Sequence, residues 1–456
     1  MSATKSWDQA ALRLLWHGGS TFDAWLNIVA AKLASRLLTF PQSTAQLGLP
    51  SAIVFQLLLS AMGLWSQSAI NVLYLRHKRM VNPETTANQP WHTTQVQSKS
   101  FRIDHLRAPQ LHEVIGGLLG SKWKIVSLVF NIVTLFYVSS AQLIACSNVA
   151  YTVNDNLDKR TWTFVFGAIF SLPILFPSAH NYRVWSFLGV VTIIFDSAYM
   201  TIATLFDRKA GNVSHSSPRS SQEYFTGLVG MLILGNVPIP VEIMDAMWKP
   251  DEYQAANLYG MACILVVVML PSISMERKFG DKLLATPNAM LLLPRSKFHD
   301  SANVLILLHV VINFGMYSLA LYATWEKIVR IHDSPSYVKR TLSRIPVFLA
   351  LWITALAFPF FGAINKLLDA ILVSWNFFII PCAAYIAVFW LPRPRRGSKS
   401  LSRLGWGVDL SVCLGIILWM LVMQCGLGLW GDVHTFVKVL EGTRPFPKCY
   451  RCAPPK

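Results

Sequence analysis

Apolar runs of about 20 residues, long enough to span some 30 Å of hydrocarbon as a helix, recur along almost the whole 456-residue chain. Within a bilayer each backbone polar group needs a partner inside the protein, so repeated runs of helical length fold as a helix bundle. Eleven spans are read, at approximately 22–48, 51–75, 123–150, 161–178, 183–206, 224–248, 253–275, 301–328, 345–366, 367–390 and 408–430. The composition agrees, with 53% hydrophobic and only 14% charged residues. The expected product is an all-α polytopic membrane protein. Its predicted parts are a cytoplasmic segment 1–21, one transmembrane domain 22–430 and a tail 431–456. The opening MSATKSWDQAALRLLWHGG lacks the basic, apolar and small-residue succession of a cleaved signal peptide. The first span is therefore expected to act as the signal.

Two spans are interrupted, and these interruptions point to function. In span 6, YFTGLVGMLIL runs into Gly235-Asn236-Val237-Pro238-Ile239-Pro240 before VEIMDAMW resumes. Two prolines two apart remove two helix donors and clash with the preceding turn, so the helix unwinds. Freed backbone groups survive at membrane depth only beside protein or a water-filled cavity. In span 1 the interruption is chemical, with Lys32 and Arg36 inside it before TFPQ. Broken helices at corresponding positions of two inverted repeats mark the binding site of many secondary transporters. Spans 1–5 (22–206) and 6–10 (224–390) would be the repeats, with span 11 (408–430) outside them. A proline kink that serves packing alone is the competing reading of span 6.

The formal charge of +17 lies in short loops between apolar runs. There it orients the chain and meets anionic lipid headgroups, and no folded basic domain remains to bind nucleic acid. The bias of Lys and Arg toward one set of loops, led by 76–122 and 391–407, predicts a cytoplasmic N-terminus. With that orientation the sequon Asn212-Val213-Ser214 lies outside, making Asn212 a candidate glycosylation site. Many of the sixteen tryptophans, among them Trp248, Trp390 and Trp430, fall near span ends as interfacial anchors do. Five cysteines sit in apolar runs as small core residues, while Cys449 and Cys452 form a CxxC in the tail. A zinc site would need two further ligands there, so a local disulfide or free thiols are expected, and no metal or cofactor.

Lys32 and Arg36 are four residues apart, on one helical face or its unwound continuation. A cation at membrane depth normally faces a cavity or a partner. Arg36 suits a bidentate grip on a carboxylate, with Lys32 as a point charge; alternatively span 1 starts later and Lys32 lies among headgroups. Glu242 opens the second half of span 6, where a carboxyl can hold or release a proton as its surroundings change, or can pair with Lys32 or Arg36. Asp245, a turn further on, reads as solvated or capping. His309, mid-span in LILLHVVINFGMY, suits proton coupling or a hydrogen bond to substrate, against a packing role. Gln142, Asn148 and Asn236 are intramembrane amides that line a site or join helices. Trp375 reads as a stacking surface or an ordinary core contact. No P-loop, HExxH or G-x-S-x-G occurs, so catalysis has no support.

WHGGSTFDAW (16–25), QLIACSN (142–148), NDNLDKRTWTFVFG (154–167), PSAHNYRVWSFLG (177–189), VEIMDAMWKP (241–250), TWEKI (324–328), FPFFGAINKLL (358–368) and KCYRCAP (448–454) stand in this order. In these segments the chain resembles the auxin influx carriers, a branch of the amino acid/auxin permease family, from about residue 14 to 454. The resemblance implies a LeuT-like five-plus-five core with helices 1 and 6 interrupted and a cytoplasmic N-terminus. It also implies proton-driven uptake of indole-3-acetic acid across the plasma membrane, with a proton as the co-transported species. An amino acid or another small organic acid, or a non-transporting receptor on the same scaffold, are the alternatives. The family pattern GGHAVTVEIMHAMWKP is GNVPIPVEIMDAMWKP here, so a histidine becomes Val237 and another becomes Asp245. The family is uncharged where this chain has Lys32 and Arg36, whereas Glu242 and His309 match it.

Overall fold

The computed structural model describes residues 19–81, 109–175, 183–206, 214–215, 218–235, 237–357, 361–391, 395, 400–402 and 405–441. Asn212, Asn236, Cys449 and Cys452 lie outside the described residues. All regular elements among the described residues are helical. Among the described residues, eight helices are long and apolar enough to cross a membrane. They are span 2 (Leu49–Val81), span 3 (Ser121–Val153), span 5 (Arg183–Phe206), span 7 (Pro250–Phe279), span 8 (Lys297–Ile328), span 9 (Tyr337–Ala357), span 10 (Asn365–Phe389) and span 11 (Trp406–Val437). The other three expected spans are short or broken. Span 4 is Lys159–Phe170 followed by a 3₁₀ turn, Leu172–Leu175.

Both predicted interruptions are present. Span 1 is helical over Thr21–Leu33, tightens into a 3₁₀ turn at Ala34–Leu38, and resumes as Phe40–Leu47 with Pro41 in its first turn. Proline is tolerated there because the first-turn N–H groups have no partner within the helix. The resumed helix stops at Gly48, whose φ of 76° only glycine adopts without strain, and span 2 starts at the next residue. Span 6 is helical over Ser221–Gly230, passes through a 3₁₀ turn at Leu232–Gly235, and restarts at Pro240–Ala246. Ser220 caps its start by accepting the Glu223 N–H at 3.2 Å. The halves cross: the second half of span 1 packs on the first half of span 6. At the opposite ends, the Trp248 N–H donates to the Gly19 carbonyl at 2.8 Å.

Three boundaries differ from the sequence reading. Span 9, expected at 345–366, is Tyr337–Ala357, and the Phe361–Leu368 segment begins the following helix. Arg340 and Arg344 read as loop residues but are buried, with their guanidiniums on the Glu326 carboxylate at 3.0–3.1 Å and 2.7 Å. The tail expected from 431 is helical to Glu441, with Asp432 buried in it. Inside the 76–122 loop, Leu111–Leu119 forms an amphipathic helix, capped reciprocally by Gln110 and Glu113.

Candidate functional site

Span 1 carries two cations at its break, and both are buried, with Lys32 2% and Arg36 6% exposed. Lys32 therefore lies inside the bundle rather than among headgroups. Arg36 meets Asp369 of span 10 in a two-pronged ion pair: Nη1 contacts Oδ2, and Nη2 donates to Oδ1 at 3.0 Å. Nη2 also donates to the Tyr137 hydroxyl of span 3 at 2.6 Å. That hydroxyl lies 2.9 Å from Asp369 Oδ1 and 3.0 Å from the Asn365 carbonyl. Asp369 opens a π-helical stretch, Asp369–Val373, continued at Trp375–Ile379. Such wide turns are rare and often mark functional sites. The expected alternative in which Glu242 neutralises Arg36 is thus corrected, because Asp369 does so.

Lys32 has a different environment. Its Nζ lies 3.9 Å from the Met261 sulfur of span 7, and it makes no ion pair among the described residues. A thioether is a weak acceptor, so the ammonium is buried without a neutralising partner. One residue away, the Tyr317 hydroxyl of span 8 donates to the Ala31 carbonyl and fixes the end of the first half-helix. Glu242 is half-buried in the first turn of Pro240–Ala246 and makes no ion pair among the described residues.

The span 6 break is held by backbone approach. A Cβ at Gly63 of span 2 would stand 2.0 Å from the Gly235 carbonyl oxygen, so only a bare backbone fits there. Beyond the break, Asp245 accepts a hydrogen bond from the Tyr74 hydroxyl at 2.9 Å and is not a free cap. It lines a cleft of about 900 Å³ together with Tyr74, Lys78, Glu113, Lys327 and Asp333. Lys327 spans this cleft to Glu113 at 2.7 Å. Burial would raise the Glu113 carboxyl, but the Lys327 ammonium and the Gln110 N–H hold it below its ordinary value.

The remaining candidates are spread around this centre. The His309 Nδ1 donates to the Gly189 carbonyl at 2.9 Å, and its Nε2 is buried without a partner among the described residues. Gln142 and Asn148 bond back to their own helix, at Val138 O (3.3 Å) and Ile144 O (2.8 Å), and Gln142 Oε1 is left unpartnered. Trp375 stacks on Phe130 with ring centroids 5.3 Å apart, a core contact. Asp369, Tyr137 and Lys366, whose ammonium donates to Gln46 Oε1 at 2.6 Å, were not singled out from sequence. The signal for Asp369 was available, since an ionisable residue within a membrane span is a functional candidate by default.

Two crossed, interrupted helices around buried charge define a secondary transporter of LeuT-like architecture. The fold matches the crystal structure of MhsT in complex with L-phenylalanine at a TM-score of 0.52, over 89% of this chain and 98% of that one, at 9% identity. The family model for transmembrane amino acid transporter proteins matches residues 17–423. The chain is 38% identical over 447 residues to auxin transporter-like protein 3 of Arabidopsis thaliana, covering 97% of this chain and 91% of the relative. It is 39% identical to auxin transporter-like protein 3 of Medicago truncatula, covering 97% and 93%, and 38% identical to the Oryza sativa subsp. japonica protein of the same name, covering 97% and 78%. The chain belongs to the transmembrane amino acid transporter family, in its auxin influx carrier branch.

Proposed function

We propose that the protein is a proton-coupled symporter that imports indole-3-acetate across the plasma membrane by alternating access, with its N-terminus in the cytoplasm. The observation that carries this reading is the difference between the two cations of span 1. Arg36 is already neutralised by Asp369, whereas Lys32 is buried with a sulfur as its neighbour. An organic carboxylate entering between the breaks would supply the charge that Lys32 lacks. Its indole ring would meet the apolar walls of spans 3 and 8, beside Gln142, Asn148 and His309. The relatives named auxin transporter-like proteins support this choice of acid.

Coupling to protons follows from the charge of the substrate. Importing a monovalent anion alone works against a negative-inside potential at about 2.3 kcal/mol per 100 mV, and two accompanying protons reverse the sign. Glu242, which makes no ion pair among the described residues, and His309, whose Nε2 has no partner among them, are the residues of this centre that can take a proton. No other cofactor is part of the proposal.

The test is accumulation of labelled indole-3-acetate in cells expressing the protein, with an acidic and then a neutral exterior, a protonophore control, and subtraction of passive entry by the protonated acid. Saturable accumulation that collapses with the protonophore supports the reading. Background uptake by protein present at the surface contradicts it. Competition by unlabelled amino acids is expected to be weak, because Lys32 repels an ammonium.

A further inference from the structure

A second polar line runs along the seam between spans 5 and 8. Two contacts set its register: His309 Nδ1 lies 2.9 Å from the Gly189 carbonyl, and the His299 and Tyr199 rings are 6.4 Å apart. The two helices are therefore antiparallel here, and Asp196 falls level with Ala302, next to Asn303. Asp196 is 0% exposed, and neither of its carboxylate oxygens has a hydrogen-bond partner among the described residues. Asn303 is equally buried, donating to the His299 carbonyl at 3.0 Å with its Oδ1 unpartnered. One turn before Asp196, the Thr192 hydroxyl lies 3.2 Å from His309 Nδ1. The seam thus orders His299, Asn303, Asp196, Thr192 and His309 through the bundle.

Neighbouring residues hold Asp196 in place without neutralising it. Pro271 has no N–H for the carbonyl four residues back, and Ser197 donates to that freed Val267 carbonyl at 2.6 Å, tying span 5 to span 7. On the buried face of span 7 the titratable groups are Tyr253, bonded to Gln67 at 3.0 Å, and Glu276, paired with His215 at 3.0 Å. Span 1 presents Asp23, paired with Arg183 at 2.7 Å, and Lys32 against Met261. Span 8 presents His299 and His309. Asp196 makes an ion pair with none of these. A carboxylate without a partner is disfavoured in such a seam, whereas a neutral carboxyl is tolerated.

We propose that Asp196 is a proton-carrying residue of the transport cycle, an inference that rests on the proton-coupled reading above. A hydronium ion arriving from the His299 end gives up a proton, its O–H bond breaking as the O–H bond on the Asp196 carboxylate forms. That bond breaks in turn when the proton passes to the next acceptor. Past the Thr192 hydroxyl the seam reaches His309, whose Nδ1 meets Gly189 and Thr192. Its Nε2, on the other side of the ring, has no partner among the described residues and can accept the proton.

The test pairs infrared difference spectra of the purified protein, wild type minus Asp196→Asn, across pH with transport in cells. The wild type is expected to give the carbonyl-stretch band of a protonated carboxyl, absent from Asp196→Asn and lost as pH rises. In cells, Asp196→Asn is expected to lose pH-driven accumulation yet keep exchange of labelled for unlabelled substrate, and Asp196→Glu is expected to restore accumulation. No titrating band, or accumulation by Asp196→Asn equal to wild type, would overturn the assignment. Loss of exchange and accumulation in both variants would give Asp196 a packing role instead and would also overturn it. If the band titrates but the wild type does not accumulate indole-3-acetate, the substrate reading fails and Asp196 stands as a proton site.

Discussion

The breaks in spans 1 and 6 interrupt a helix by different chemistry. Span 6 is broken by Pro238 and Pro240 and held by the bare backbones of Gly63 and Gly235, so its break is a matter of shape. Span 1 unwinds through a 3₁₀ turn around two cations, so its break is a matter of charge. Under the proposed function, span 1 reads the charge of the substrate and span 6 fixes the space into which it fits. Within span 1 the two cations also differ, for Arg36 is paired with Asp369 while Lys32 makes no ion pair among the described residues and is the proposed ligand contact.

The largest effect should come from breaking the architectural charge. Asp369→Ala leaves Arg36 buried and unpaired, a loss of about 3–5 kcal/mol, expected to appear as loss of folded protein at the surface. The double variant Arg36→Met with Asp369→Leu should recover much of that loss, and surface labelling of both variants checks it. Next, Gly63→Val should test the shape-based break, because its side chain meets the Gly235 backbone and overpacking of this kind costs about 1–3 kcal/mol. Melting temperature in detergent reads that directly. Lys32→Gln should spare the fold and raise the KM for the acid anion about tenfold, equivalent to about 1.4 kcal/mol. The smallest effect belongs to the cleft beyond span 6, where Tyr74→Phe removes the bond to Asp245, worth about 0.5–1.5 kcal/mol. It should shift the melting temperature slightly and leave the KM unchanged.

Apolar run length exposed the spans, and Pro238, Pro240, Lys32 and Arg36 exposed the breaks, because a bilayer makes each of these features costly without a structural reason. What sequence could not supply was partnership. Arg340 and Arg344 looked like the edge of span 9 because a window weighs charge without knowing that Glu326, fourteen and eighteen residues earlier, lies buried against them. Asp432 disguised the continuation of span 11 in the same way. Asp369 and Asp196 stand in apolar stretches, and only the fold reveals that one meets a guanidinium while the other has no hydrogen-bond partner among the described residues. Arg36 looked like the better carboxylate ligand of the two cations until its fork was found on Asp369.

The central claim is that the unpaired ammonium of Lys32 binds the substrate carboxylate. Its most direct test is the KM for labelled indole-3-acetate uptake in wild type, Lys32→Gln and Lys32→Arg, each normalised to protein at the surface. The account expects a KM about tenfold higher for Lys32→Gln and a smaller change for Lys32→Arg, which keeps the charge. Equal KM values in all three proteins would contradict it and remove Lys32 from the site.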